Sequence, residues 1–230
     1  MQKRHTHTKA LSRFTQILDS SFPNGAFTHS FGLEPFVLEG IIKDKNSLFS
    51  FLKNVISYQY EKFEFPIITK VYEYCESGKL NLIVKLDKKI QAMQMYEFAK
   101  AYKNIGENIF FQLQNLELKK SITKSYFLHV KDRKTPANEM VILGIFAYES
   151  SLHVKDFMAL FAKKNLMNIA TSSLKVSRLK PSEVQEILFM IDDILDASVE
   201  KKYSKISNFN PFFEEIIFKH KHLEPKLFTT

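Results

Sequence analysis

Along most of this chain apolar side chains recur at steps of three and four residues, while one-by-one alternation is not sustained anywhere, so the α-helix is the element able to bury them. Val184, Ile187, Leu188, Ile191, Ile194 and Leu195 form the cleanest stripe. It starts just after Pro181, whose fixed φ and missing N–H suit a first helical turn. Leu48, Phe51, Leu52, Val55 and Ile56 make a second stripe, with Ser47 available as a cap. A third, Phe98, Tyr102, Ile105, Ile109, Leu113 and Leu116, passes through Gly106 and predicts one long helix in which the glycine admits a neighbouring helix. Further helices are expected at about 64–76, 137–151, 154–177 and 211–220.

The breaks at Ser77-Gly78 and at residues 132–136, 178–181 and 207–211 are short, as between packed helices rather than between domains. The expectation is an all-α, single-domain bundle of roughly eight to ten helices spanning residues 1–230, with flexible termini at about 1–9 and 221–230. Hydrophobic residues make up 45% of the 230, enough for a substantial core, and with 22 Phe and no Trp that core should be phenylalanine-rich.

Composition also bounds function. The lone cysteine, Cys75, excludes an internal disulfide and reads as a small buried hydrophobe in a reducing compartment. No apolar run has the length of a signal peptide or membrane span, so the protein is expected in the cytoplasm. A net charge of +8 keeps a basic helical nucleic-acid-binding protein as the alternative reading. Acids, hydroxyls and apolar residues interrupt every lysine cluster, however, which favours a solvated surface.

Several enzymatic signatures are absent: a phosphate-cradling Gly-x-x-x-x-Gly-Lys-Ser/Thr loop, Gly-x-Gly-x-x-Gly, His-Glu-x-x-His and Cys-x-x-Cys. His5 and His7, and His220 and His222, are weak metal candidates, because residues two apart do not share a helix face. No metal ligand set and no stably bound cofactor are assigned. Ser30 beside His29 lacks a third orienting group and makes a poor nucleophile.

The segment Asp19-Ser-Ser-Phe-Pro-Asn-Gly-Ala-Phe-Thr-His-Ser-Phe-Gly-Leu-Glu34 carries the most specific information. Phe22-Pro23-Asn24-Gly25 is a turn: proline pre-sets one φ, and Asn-Gly tolerates a positive one. Ser30 is a candidate N-cap for a short helix starting near Phe31, with Glu34 favouring its dipole. Gly32 in the first turn costs about 1 kcal/mol relative to alanine, consistent with close backbone or partner approach.

In order and spacing, Asp19, Phe22-Pro23-x-Gly25 and His29-Ser30-x-Gly32-Leu33-Glu34 resemble the N-terminal signature of the UreF family of urease accessory proteins. The resemblance continues colinearly through Ile105-Gly106, Leu179, Gln185 and Leu188 to Lys226-Leu227-Phe228, with Ala99 where the family carries arginine, as in a divergent member. It implies an all-helical, dimer-forming, non-catalytic scaffold that acts in nickel delivery. Its implied partners are the accessory protein UreD/UreH, the GTPase UreG and apo-urease. Asp19, Phe22, Pro23, Gly25, His29, Ser30, Gly32, Leu33 and Glu34 would form a rigid docking element. Lys226, Leu227 and Phe228 would be a tail that orders on UreD/UreH.

Overall fold

The computed structural model describes residues 8–25, 33–116, 118–208, 210, 214, 215, 218 and 227, and among these every regular element is helical. The α-helices are α1 (Thr8–Leu18), α2 (Leu33–Leu38), α3 (Lys45–Asn54), α4 (Phe65–Glu76), α5 (Leu80–Met93), α6 (Tyr96–Leu113), α7 (Ser121–Lys131), α8 (Glu139–Glu149), α9 (Val154–Val176), α10 (Pro181–Met190) and α11 (Asp192–Val199). A wider π-helical stretch, Val55–Glu64, joins α3 to α4. With α3 to α4 counted as one rod and α10 to α11 as another, the described residues form nine helices, within the expected range.

The bundle is built around α8. Glu139 to Tyr148 are all buried, so this helix has no polar face. α4, α6, α7 and α9 pack around it. Its approach to α4 is made at Gly144, where an added Cβ would lie 3.1 Å from Val71 Cγ1. Rings fill the layer between α1, α4, α8 and α9: Phe14 meets Phe146 and Phe157, and Phe157 meets Tyr72 and Phe161. Cys75 is buried as expected, and burial pushes its thiol up to about 12.

Pro66 bears on the end of the π-helical stretch. In a regular helix its ring would meet the Lys62 carbonyl, and it has no N–H to offer in return. The backbone widens instead, and the Phe65 N–H reaches back five residues to the Tyr60 carbonyl. The Lys62 carbonyl then accepts the Ser207 N–H at 2.9 Å from the segment after α11. The helices expected at 48–56 and 64–76 are therefore one continuous element.

Other expectations are corrected. Asp44, not Ser47, caps α3; the two form a reciprocal box in which Asp44 Oδ1 accepts the Ser47 N–H at 2.8 Å. The long helix through Gly106 ends at Leu113, leaving Leu116 beyond it and exposed. The 184–195 stripe is broken at Ile191: Lys163 Nζ donates to the Leu188 carbonyl and to Asp192 Oδ1, diverting a carbonyl that the helix ladder would use. α5 and α7 are additional helices, each burying residues at positions i, i+3, i+4 and i+7: Ile83, Leu86, Asp87 and Ile90 in one, Thr123, Tyr126, Phe127 and Val130 in the other. Thr8 and Lys9, expected in a flexible terminus, already belong to α1. Of the 211–220 helix, only Glu214, Glu215 and Phe218 are among the described residues, and all three are helical.

Candidate functional site

His29, Ser30, Gly32, Lys226, Phe228 and the histidines His5, His7, His220 and His222 lie outside the described residues. So does the expected helix start near Phe31; the helix is described from Leu33.

The turn that follows α1 is held by its own side chains. Asp19 Oδ1 accepts the Ser21 N–H at 2.7 Å and the Ser21 hydroxyl at 2.5 Å. These bonds, the hydroxyl's first, hold the Asp19 carboxyl below its usual range. The Phe22 N–H donates to the Asp19 carbonyl at 3.0 Å and the Asn24 N–H to the Phe22 carbonyl at 2.7 Å, so the chain reverses about Pro23. Gly25 adopts φ +81°, a conformation in which a side chain is strained. Phe22 packs against the core, and Asn24 is buried.

This turn is docked on α6. Asn108 Nδ2 donates to the Asn24 carbonyl at 3.1 Å. Two residues earlier, Gly106 meets a different neighbour: a Cβ there would stand 1.8 Å from the Ala137 carbonyl oxygen and 2.9 Å from the Glu139 nitrogen. The close approach is thus made by the backbone leading into α8, not by the flank of another helix. That backbone is held by Asp87 of α5. Its carboxylate accepts the Tyr126 and Thr135 hydroxyls, each at 2.7 Å, and the Ala137 and Asn138 N–H groups, each at 3.0 Å. Burial raises the Asp87 carboxyl above its usual range, and the four donors oppose that shift. Sequence reasoning missed this residue. Its signal was an acid on the apolar stripe of α5.

The helical half of the signature works from the inside. Leu33 and Glu34 are buried, and α2 packs on α9. One partner of the Glu34 carboxylate is the Leu227 N–H, at 2.9 Å, a contact between residues 193 apart in sequence. Leu227 leaves its own side chain exposed. Gln185 is exposed on the outer face of α10, one helical turn before Phe189, which is 77% exposed. The signature residues therefore form two described groups, the turn with Gly106 on α6 and Glu34 with Leu227, and Gln185 belongs to neither. Beside α2, a cavity of about 360 Å³ opens between Phe36, Phe51, Tyr58, Tyr102 and Ile169.

Among the described residues no group of three or more His, Cys, Asp or Glu side chains is arranged to hold a metal ion, and no helix is long and apolar enough to cross a membrane.

Similarity to known proteins covers both the bundle and its edges. The UreF family model matches residues 42–192, a span that contains the π-helical stretch, Asp87, Gly106 and Gln185 and begins after α2. The chain is 25% identical over 229 residues to the urease accessory protein UreF of Bacillus sp. (strain TB-90), covering 96% of this chain and 98% of that one. It is 24% identical over 190 residues to the urease accessory protein UreF of Ureaplasma urealyticum serovar 10 (strain ATCC 33699 / Western), covering 79% of each. Since the matched span exceeds half of the chain, this protein belongs to the UreF family of urease accessory proteins.

Proposed function

We propose that this chain is a non-catalytic cytoplasmic scaffold for insertion of nickel into apo-urease, bridging the accessory protein UreD/UreH and the GTPase UreG as a homodimer. The observation that carries this reading is the near end-to-end similarity to a urease accessory protein, which takes in the signature turn as well as the bundle. Nickel is cargo in this scheme.

The surface offers what a scaffold needs. Phe189 and Met190 place apolar side chains in solvent at the end of α10, and large exposed apolar groups of this kind anchor protein interfaces. Leu227 is tethered by its backbone to Glu34 while its side chain is exposed, so an apolar anchor is already positioned for a partner. Coupling to a GTPase then requires only that the scaffold bind one nucleotide state of its partner more tightly than the other.

Deletion of the gene in a urease-positive host tests the reading. Urease activity and urease-bound nickel are expected to fall together, with co-purification of UreD/UreH and UreG in the wild type. Normal activity and nickel content without added nickel would overturn the proposal. Strongly salt-dependent binding to DNA or RNA, without capture of the accessory proteins, would favour the basic nucleic-acid-binding alternative.

A further inference from the structure

The cavity of about 360 Å³ lies where α2, α3, the π-helical stretch, α6 and α9 converge. Half of its lining residues are aromatic: Phe36, Phe51, Tyr58, Tyr60, Phe98 and Tyr102. The π-helical stretch supplies three consecutive lining residues, Tyr58, Gln59 and Tyr60. The volume is at the small end for ligand pockets, which suits a molecule of one or two fused rings.

Polar groups on the wall narrow the choice. Asn165 lines the cavity and is only 5% exposed, and its Oδ1 has no hydrogen-bond partner. An amide terminus turns at small cost, so this spare acceptor is available to a donor in the cavity. Charged groups do not line the wall. Glu64 accepts from Gln59 Nε2 at 2.8 Å and Glu139 pairs with Lys164 at 2.8 Å; each carboxylate keeps one oxygen without a partner, but neither they nor Lys164 line the cavity. An ammonium ion placed there would lose its hydration without gaining an ion pair, whereas a neutral ring with one N–H or O–H loses little.

We propose that this cavity binds a small, neutral aromatic molecule bearing a single hydrogen-bond donor, with its ring between the aromatic walls and its donor on the Asn165 amide oxygen. The source is a free molecule. A partner protein's Trp or Tyr side chain would present the same chemistry.

Calorimetric titration of the full-length protein with indole, benzofuran and phenethylamine tests this. Benzofuran keeps the shape of indole but replaces its donor with an oxygen acceptor. Indole is expected to bind saturably at one per chain and about tenfold more tightly than benzofuran, the scale of one net hydrogen bond. Asn165→Leu should abolish that difference. Ile169→Trp should fill the cavity and abolish indole binding while leaving the helical circular dichroism and cooperative thermal unfolding intact. No saturable indole binding to the wild type, equal affinity for benzofuran, or tighter binding of phenethylamine would each overturn the proposal. Competition between indole and UreD/UreH or UreG would assign the cavity to a partner side chain and overturn the free-molecule assignment.

Discussion

Two buried carboxylates, Asp87 on α5 and Glu64 at the end of the π-helical stretch, have equal access to water, which is none, and opposite degrees of satisfaction. Asp87 accepts four hydrogen bonds shared over both oxygens and ties α5, α7 and the backbone entering α8 into one unit. Glu64 accepts one side-chain hydrogen bond at Oε1, and its Oε2 has no partner. Burial raises both carboxyls, but for Glu64 it carries the group to about 7, with Glu139 adding to the shift. The contrast teaches that burial alone does not say what an acid is for. Where both oxygens are bonded, the acid locks a loop; where one is left over, the region borders a cavity and remains sensitive to pH.

The largest expected effect probes the locked region. Gly106→Ala places a methyl group 1.8 Å from the Ala137 carbonyl oxygen, and the backbone that Asp87 holds has no free direction in which to retreat. A loss on the order of 5 kcal/mol is expected, read by urea unfolding or as failure to recover folded protein. Wild-type stability in this variant would show that the locked loop yields.

Asp87→Asn comes next. The amide keeps one acceptor and turns an NH2 group toward donors, leaving buried N–H or hydroxyl groups unmet at a cost of about 4 kcal/mol. Hydrogen exchange should show loss of protection at Ala137 and Asn138 before α8. Uniform loss across the bundle would break the claim that Asp87 acts through that loop.

Glu64→Gln should have the opposite sign. The folded-state value of about 7 stands above the ordinary 4.5, so between those limits the folded protein retains a proton that the unfolded chain has released. Stability contributed by this group is therefore lost as pH rises from about 4.5 through 7. The glutamine variant removes that loss. It should be more stable than the wild type by about 3 kcal/mol at pH 8 and nearly equal to it at pH 4, measured by denaturant unfolding across the range. Parallel pH profiles for the two proteins would show that Glu64 finds a partner in solution.

Sequence patterns and structure agree where the physics is local. Asp19, Pro23 and Gly25 act within a few residues of themselves, through a side chain bonded two positions on, a ring on its own φ and a positive φ, so their turn was legible. The stripes of α3, α6 and α10 were legible for the same reason, since a helix buries every third or fourth residue against whatever lies beside it. The failures are equally specific. α5 and α7 have the same spacing but carry an aspartate or a threonine at a buried position, where a pattern of apolar residues skips them. Pro66 falls within the helix expected at about 64–76 and drew no reading of its own, because nothing nearby in the chain shows that Ser207 takes the Lys62 carbonyl. Glu34 read as a helix-dipole residue because its tail contact is 193 residues away.

The sequence by itself determined that this chain forms helices, roughly where they start and stop, and which family signature it carries, because periodicity, turn chemistry and capping are decided by neighbours in the chain. Only the tertiary structure decided that Gly106 faces a carbonyl, that Asp87 is satisfied while Glu64 is not, and that a cavity opens beside the widened helix. Those outcomes depend on which distant donor, acceptor or void a side chain meets once the helices pack, and residues far apart in sequence supply them.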